Sequence, residues 1–183
     1  SGTPTNVTAN TAVTLSRTTG TGTLGGTLTG TILAGNNSVT ISGVTYTKAE
    51  SGVVLTATRT SGDTLTAANS AAFTVNAGAA ATLALTSGNG QSGQGLATLA
   101  SPFVVTVTDA NGNLVSGTSV AFAVATVPGS ATGQSLSTTN TVTATNGQAS
   151  SRLTLGNTVG AYTVTATSDG LSNSPVTFTA TAT

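Results

Sequence analysis

The chain has 183 residues with 4% charge, four basic side chains against four acidic, 23 glycines, and neither Cys, His, Met nor Trp. An ordinary domain carries about 25% charged residues, so there is no electrostatic footprint here for nucleic acid or an anionic membrane. The missing thiols exclude disulfides and thiolate metal sites, and without His or Cys neither acid–base nor covalent catalysis has its parts.

Abundant Thr, Ser, Val and Ala, with few helix-favouring Glu, Lys or Gln, point to an all-β protein. Near-zero net charge removes the repulsion that keeps soluble chains apart and so tolerates self-association. No apolar run approaches the roughly 20 residues of a membrane span. No charged segment followed by an apolar one opens the chain, so any signal peptide or anchor is expected outside it.

Apolar residues alternate with Thr or Ser along most of the sequence, the period of half-buried strands. In chain order the inward sets begin with Val13 and Leu15, then Val39 and Ile41, Tyr46, the run Val53, Leu55 and Ala57, and Phe73 with Val75. Arg17 and Arg59 continue the inward phase at strand ends and are expected to snorkel to the rim, with Asp63 as partner. Lys48-Ala49-Glu50-Ser51-Gly52 reads as a solvated polar turn. It lacks the aromatic burial that an isopeptide bond from Lys48, the one lysine, would need. Asn6-Val7-Thr8 and Asn36-Asn37-Ser38 fit the N-glycosylation pattern, usable in an archaeon and accidental in a bacterium.

Residues 77–80 read as a short linker between a first domain, 1–76, and a second, 81–183. A connection of that length restricts hinge motion, so a semi-rigid rod is expected. The second domain's inward sets are Leu83 and Leu85; Phe103, Val105 and Val107; Val120, Phe122 and Val124; Val142 and Ala144; Leu153 and Leu155; Tyr162, Val164 and Ala166; Val176 and Phe178. That is a complement of about seven short strands in about 100 residues, the pattern of an immunoglobulin-like sandwich. The Gly/Gln stretch 88–95 reads as the loosest part of this domain, bridging two pieces of its first strand as that strand changes sheets.

Two local motifs stand out. Gly160-Ala161-Tyr162-Thr163-Val164 has the spacing of a tyrosine corner, with Val164 where antibody domains place a Cys. Its reading is structural: Tyr162 caps the core and bonds backbone. Asp109-Ala110-Asn111-Gly112-Asn113 resembles the start of a calcium loop, but Val120 stands where the bidentate Glu would be. Asx residues and Gly are also what a tight turn requires, and that is the expectation for Asp109, Asn111, Gly112 and Asn113. No metal, cofactor or catalytic residue is expected.

The two halves repeat one another. Val13-Thr14-Leu15 falls on Val120-Ala121-Phe122, the segment 52–58 on 160–167, and 71–75 on 176–180. Such a period means tandem domains. Nothing in the first domain answers to residues 82–109, so Val13, Leu15, Val53 and Leu55 are expected to form the open-edge core of a sandwich lacking its opening two strands.

Residues 81–183 resemble bacterial immunoglobulin-like domains of the invasin/intimin type, on the run VTVTDANGNLVSGTSVAF, on 147–155 and on Gly160–Thr167; residues 1–76 resemble a related repeat of long secreted surface adhesins. The resemblance implies an extracellular, non-catalytic structural module of a prokaryotic cell-surface protein, a stalk or spacer. Its partners would be neighbouring repeats or other copies, and any cell-surface ligand would be met elsewhere. The alternative is a filament or sheath subunit completed by strand donation from a neighbouring chain. A weaker alternative is a glycan- or receptor-binding module, disfavoured because Trp is absent and Phe and Tyr fall mostly on the inward phase.

Overall fold

The computed structural model describes residues 4–183; positions 1–3 of the expected first domain lie outside the described residues. Every regular element among the described residues is a β-strand, and the chain divides into two compact units, Ser1–Asn76 and Ala77–Thr183.

Unit 1 contains β1 (Thr11–Thr19), β2 (Leu24–Gly26), β3 (Thr29–Ile32), β4 (Val44–Tyr46), β5 (Glu50–Ser61), β6 (Ala68–Asn69) and β7 (Phe73–Val75). Its main sheet runs β3-β1-β5-β6, with β7 pairing the start of β5, while β2 and β4 form a separate pair. The antiparallel β1–β5 ladder sets Val13 opposite Arg59 and Leu15 opposite Ala57. Arg17 and Arg59 do reach backbone carbonyls at strand ends, Gly22 O and Gly62 O respectively. Asp63 is not their partner. It accepts instead from the backbone N–H groups of Thr8 (2.5 Å) and Ala9 (3.2 Å), which close the loop that feeds β1.

Unit 2 contains β8 (Ala80–Ser87), β9 (Gln91–Gly93), β10 (Phe103–Asp109), β11 (Ser119–Thr126), β12 (Ser135–Leu136), β13 (Asn140–Val142), β14 (Gln148–Ser151), β15 (Leu153–Thr154), β16 (Gly160–Thr167) and β17 (Val176–Ala182). One sheet is ordered β14-β10-β8 and the other β13-β11-β16-β17-β9. Between them lies a single core in which Phe103, Val105 and Val107 of the first sheet join Phe122, Val164 and Phe178 of the second. The rings of Phe103 and Phe178 stack with centroids 4.7 Å apart. Burial alternates strictly along β10 and β17, as the two-residue period requires. This strand order over one shared core is an immunoglobulin-like sandwich.

The chain changes sheets between β8 and β9, as β9 pairs in parallel with β17. The Gly/Gln stretch is not loose there. Gln91 bonds Gly88 O (2.6 Å) and Ser101 O (2.9 Å) and receives Ser101 N (2.9 Å), while Asn89 receives Thr179 N at 2.7 Å. Gly88 turns the corner at φ +90°, where a Cβ would stand 2.0 Å from Pro102 O.

Three burial expectations are not met. Leu85 keeps the inward phase, paired with Val105 as Leu83 is with Val107, yet is 41% exposed on β8, the edge strand of its sheet. Val142 points outward and Thr143 is buried in its stead, its hydroxyl bonding Val115 O at 2.7 Å and receiving Thr118 N at 3.0 Å. In unit 1 Phe73 lies 39% exposed on the short strand β7.

Candidate functional site

Laying the two units on one another shows what unit 1 has and what it lacks. Its β3-β1-β5-β7 arrangement repeats β13-β11-β16-β17, and its β2–β4 pair repeats β12–β15. Matching turns lock the correspondence: Asn36 N donates to Leu33 O (3.0 Å) as Gly147 N donates to Ala144 O (2.8 Å). Val7 N then donates to Asn36 O at 2.8 Å, just as Val107 N donates to Gly147 O at 2.8 Å. The repeat thus reaches back to Val7, which takes the place of Val107. The sequence comparison, which started the match after the turn, missed this because Val7 stands alone among polar neighbours.

Of the described residues before Val7, Pro4, Thr5 and Asn6 join no strand. In unit 2, β14 is paired by β10, with Val105 opposite Ala149 and Phe103 opposite Ser151. The counterpart of β14 is the segment Ser38-Val39-Thr40-Ile41-Ser42, which forms no ladder with any described residue. Val39 and Ile41 turn toward Gly30, where a Cβ would come within 3.2 Å of each side chain. They form one wall of an apolar cavity of about 460 Å³ whose other walls include Val13, Leu15, Ile32 and Leu65, with Arg59 also lining it.

The positions expected to be short of cover divide accordingly. Val13, Leu15 and Leu55 are half-buried, whereas Val53 is fully buried. Val53 therefore does not belong to the open face. It lies opposite Phe73 of β7, at the end of β5 that Glu50 ties to β4 through Tyr46. In unit 2 the counterparts of Val13 and Leu15, Val120 and Phe122, are 0% and 2% exposed under β10 and β8.

The Lys48–Gly52 segment is more structured than a solvated turn. Strand β5 begins at Glu50, whose carboxylate accepts from Tyr46 Oη (2.6 Å), Thr21 N (2.6 Å), Thr21 Oγ1 (2.9 Å) and Gly22 N (3.0 Å). These donors, the Tyr46 hydroxyl foremost, hold the Glu50 carboxyl well below the usual carboxylate range. Lys48 lies 3.6 Å from Glu50, is half exposed and also bonds Thr21 Oγ1. The Tyr46-to-Glu50 spacing after a Gly20-Thr21-Gly22 turn was the signal for this clamp. A Cβ on Gly20 would sit 2.3 Å from Tyr46 Oη.

In unit 2, Asp109 is buried and acts as a hub. Oδ1 accepts from Asn111 N (2.8 Å) and Asn113 N (2.9 Å), and Oδ2 accepts from Asn113 Nδ2 (2.8 Å) and Gly78 N (2.8 Å). Asn113's side chain and the three backbone donors lower its carboxyl to about 2 against the opposing cost of burial. Gly112 takes φ +82° in this turn. Both carboxylate oxygens thus face N–H donors. Among the described residues no three His, Cys, Asp or Glu side chains come together as a metal-binding group. Tyr162 is fully buried with its hydroxyl donating to Thr158 O at 2.7 Å, and Val164 is fully buried opposite Val124 and Phe178.

No family model matches the chain, and no curated protein matches it. Among solved structures, the D0-D1 domain of intimin is similar at 22% identity and a TM-score of 0.40, covering 98% of this chain and 83% of that one. The Yersinia pseudotuberculosis adhesin InvE is similar at 17% and 0.46, covering 97% and 50%. Domains 4–9 of the surface layer protein SbsC follow at 20% and 0.42, covering 77% and 19%. At these scores the fold rests on the chain's own strand order: an immunoglobulin-like sandwich in unit 2, and in unit 1 the larger sheet of the same sandwich, with no counterpart of β8 or β10 among the described residues.

Proposed function

We propose that this chain is a non-catalytic structural module of an extracellular prokaryotic surface protein, a semi-rigid spacer in a stalk. The observation that carries the reading is the connection between the units. Strand β7 ends at Val75 and β8 starts at Ala80, and within the four residues between them Gly78 is bonded to the Asp109 carboxylate. A connection so short, with one of its amides tied to a buried side chain, leaves few free dihedrals for a hinge. The polar inventory supports a passive role. Glu50, Asp63 and Asp109, three of the four acids, are engaged in internal hydrogen bonds, and none has a nucleophile–base pair beside it.

The test is 15N relaxation on the two units. Matching rotational correlation times are expected, and Asp109→Ala should make them diverge. Independent tumbling of the unaltered chain would refute the spacer.

A second reading, a subunit of a filament or sheath completed by strands from neighbouring chains, is favoured by the unpaired edge at 38–42. Concentration-dependent assembly with a regular repeat would support it over the stalk.

A further inference from the structure

Three glycines of unit 2 follow an asparagine: Asn89-Gly90, Asn111-Gly112 and Asn146-Gly147. In such a pair the glycine carries no side chain, so its amide nitrogen reaches the preceding side-chain carbonyl carbon with little hindrance. We propose that Asn111-Gly112 is a site of spontaneous deamidation selected by the fold, and that the change loosens the hold of Asp109 on Gly78. The chemistry belongs to the folded turn and holds for a spacer and a filament subunit alike.

Structure separates three sites that the sequence makes alike. Asn89 Oδ1 accepts from Thr179 N at 2.7 Å and from Thr179 Oγ1 at 3.0 Å, and the Gly90 amide donates to Thr179 O at 2.9 Å. Asn146 is held at both side-chain atoms by Gln148: Oδ1 accepts from Gln148 N and Nδ2 donates to Gln148 Oε1, each at 3.1 Å. Gly147 is buried, its amide donating to Ala144 O at 2.8 Å and its carbonyl accepting from Val107 N at 2.8 Å. Asn111 is exposed, and its side chain makes no hydrogen bond among the described residues. The Gly112 amide is held by a single turn bond, to Asp109 O at 3.1 Å, and a Cβ on Gly112 would meet nothing within 4 Å. Reaction requires the side chain to swing onto the following nitrogen. Asn89 and Asn146 must first give up side-chain bonds, and Asn111 has none to give up.

The Gly112 nitrogen attacks the Asn111 side-chain carbonyl carbon and forms a cyclic imide. The bond from that carbon to Nδ2 breaks, and the departing nitrogen takes the proton lost by the Gly112 amide and leaves as ammonia. One water molecule then opens the ring at either carbonyl, its hydroxyl staying on that carbon as a carboxyl and its other proton returning to the Gly112 nitrogen. The product is aspartate at position 111, or isoaspartate, in which the main chain runs through the former side chain and gains a carbon. Both products act on the Asp109 hub. Oδ1 of Asp109 holds Asn111 N and Asn113 N, and Oδ2 holds Asn113 Nδ2 and Gly78 N. A second carboxylate in this turn repels the buried one, and the longer chain of isoaspartate shifts Asn113 away from it. The acceptor that ties Gly78 is weakened in either case.

The test ages the unaltered chain in warm, mildly alkaline buffer, with and without urea, and follows each site by peptide mass spectrometry. In the folded chain position 111 should convert at least about tenfold faster than positions 89 and 146, the equivalent of roughly 1.4 kcal/mol of protection at those two. In urea the three rates should converge. Asn111→Gln should abolish the leading conversion. The aged form, separated by its added negative charge, should exchange the Gly78 and Asn113 amide hydrogens faster, with exchange in β16 and β17 unchanged. Asn111→Asp, which supplies the charge without the longer chain, should reproduce part of that loss of protection. Equal rates at the three sites in the folded chain, or a lead for 89 or 146, overturn the proposal. So does a lead for 111 that persists undiminished in urea, because local sequence and not the fold would then set it. Gly78 exchange unaltered in both the aged chain and Asn111→Asp overturns the coupling to the connecting segment.

Discussion

Asp109 and Gly78 lie 31 positions apart, yet the Asp109 carboxylate accepts the Gly78 backbone N–H at 2.8 Å, fixing the entrance of unit 2 to the turn between β10 and β11. The same carboxylate organises its own turn through Asn111 and Asn113. A side chain that reads in sequence as a local turn former therefore also anchors the connecting segment.

Asp109→Ala leaves buried N–H donors without an acceptor, which should cost unit 2 about 2–3 kcal/mol. Asp109→Asn, which keeps one carbonyl acceptor and loses the charge, should cost less. Urea unfolding followed by a unit 2 probe such as Tyr162 absorbance checks both, and a loss under about 0.5 kcal/mol for the alanine variant would contradict the role given to Asp109.

The acid response follows from the three lowered carboxyls. Each is lower in the folded chain than its ordinary value, 3.8 for Asp109 and Asp63 and 4.5 for Glu50, so each stabilises the fold above that value. The contribution is lost as pH falls through the folded value, about 2 for Asp109 and lower still for Glu50. Stability should be flat from neutral pH down to about 5 and decline from there toward 2. A melting midpoint that drops between pH 8 and 6 would conflict with this, since the chain has no His to titrate there.

The Glu50 clamp depends on glycine at its turn. Gly20 sits at φ +105° with no room for a Cβ beside Tyr46 Oη, and Gly22 would place one 2.5 Å from Tyr46 Cε1. Gly22→Ala should therefore displace Tyr46 from Glu50, raise the Glu50 carboxyl toward its ordinary value, and lower the melting temperature of unit 1. Carboxylate chemical shifts across an acid titration report the first effect, and an unchanged Glu50 titration would show that Tyr46 had not moved.

Much of unit 2 was legible because its strands are paired on both sides, so burial and alternation agree: Phe103, Val105 and Val107, or Val176 and Phe178, read directly from period two. Legibility failed where a strand meets an edge. Val142 and Thr143 exchanged faces because β13 has β11 on one side only, and a satisfied hydroxyl took the inward position. Leu85 keeps its inward phase opposite Val105 but is exposed on the edge strand β8, which alternation cannot show. The repeat gave residues 82–109 no counterpart in the first domain, but how the described residues of unit 1 cover their inward side chains was not legible. Val53 is buried opposite Phe73 of β7, three residues from the Glu50 clamp, and both the pairing and the clamp depend on contacts far apart in sequence, Val53 with Phe73 and Thr21 with Glu50.

The unequal cores give the last prediction. Unit 2 gathers its buried apolar residues into one cluster that includes Phe103, Phe122, Tyr162 and Phe178. The fully or largely buried apolar side chains among the described residues of unit 1 are Val7, Ile32 and Val53, with an open cavity of about 460 Å³ between its sheet and Val39–Ile41. Burial stabilises at about 25 cal/mol per Å² of apolar surface, so the unit with the open face has the smaller reserve. Calorimetry should resolve two transitions, the lower belonging to unit 1. Leu15→Ala should shift only the lower one, by about 1–2 kcal/mol, less than the roughly 2–5 of a fully enclosed Leu, because Leu15 is half-buried. Phe122→Ala, at the matching position under β10, should shift only the upper one, by about 3–5 kcal/mol. A single cooperative transition, or equal costs at the two positions in the free chain, would mean that unit 1 is not open in solution.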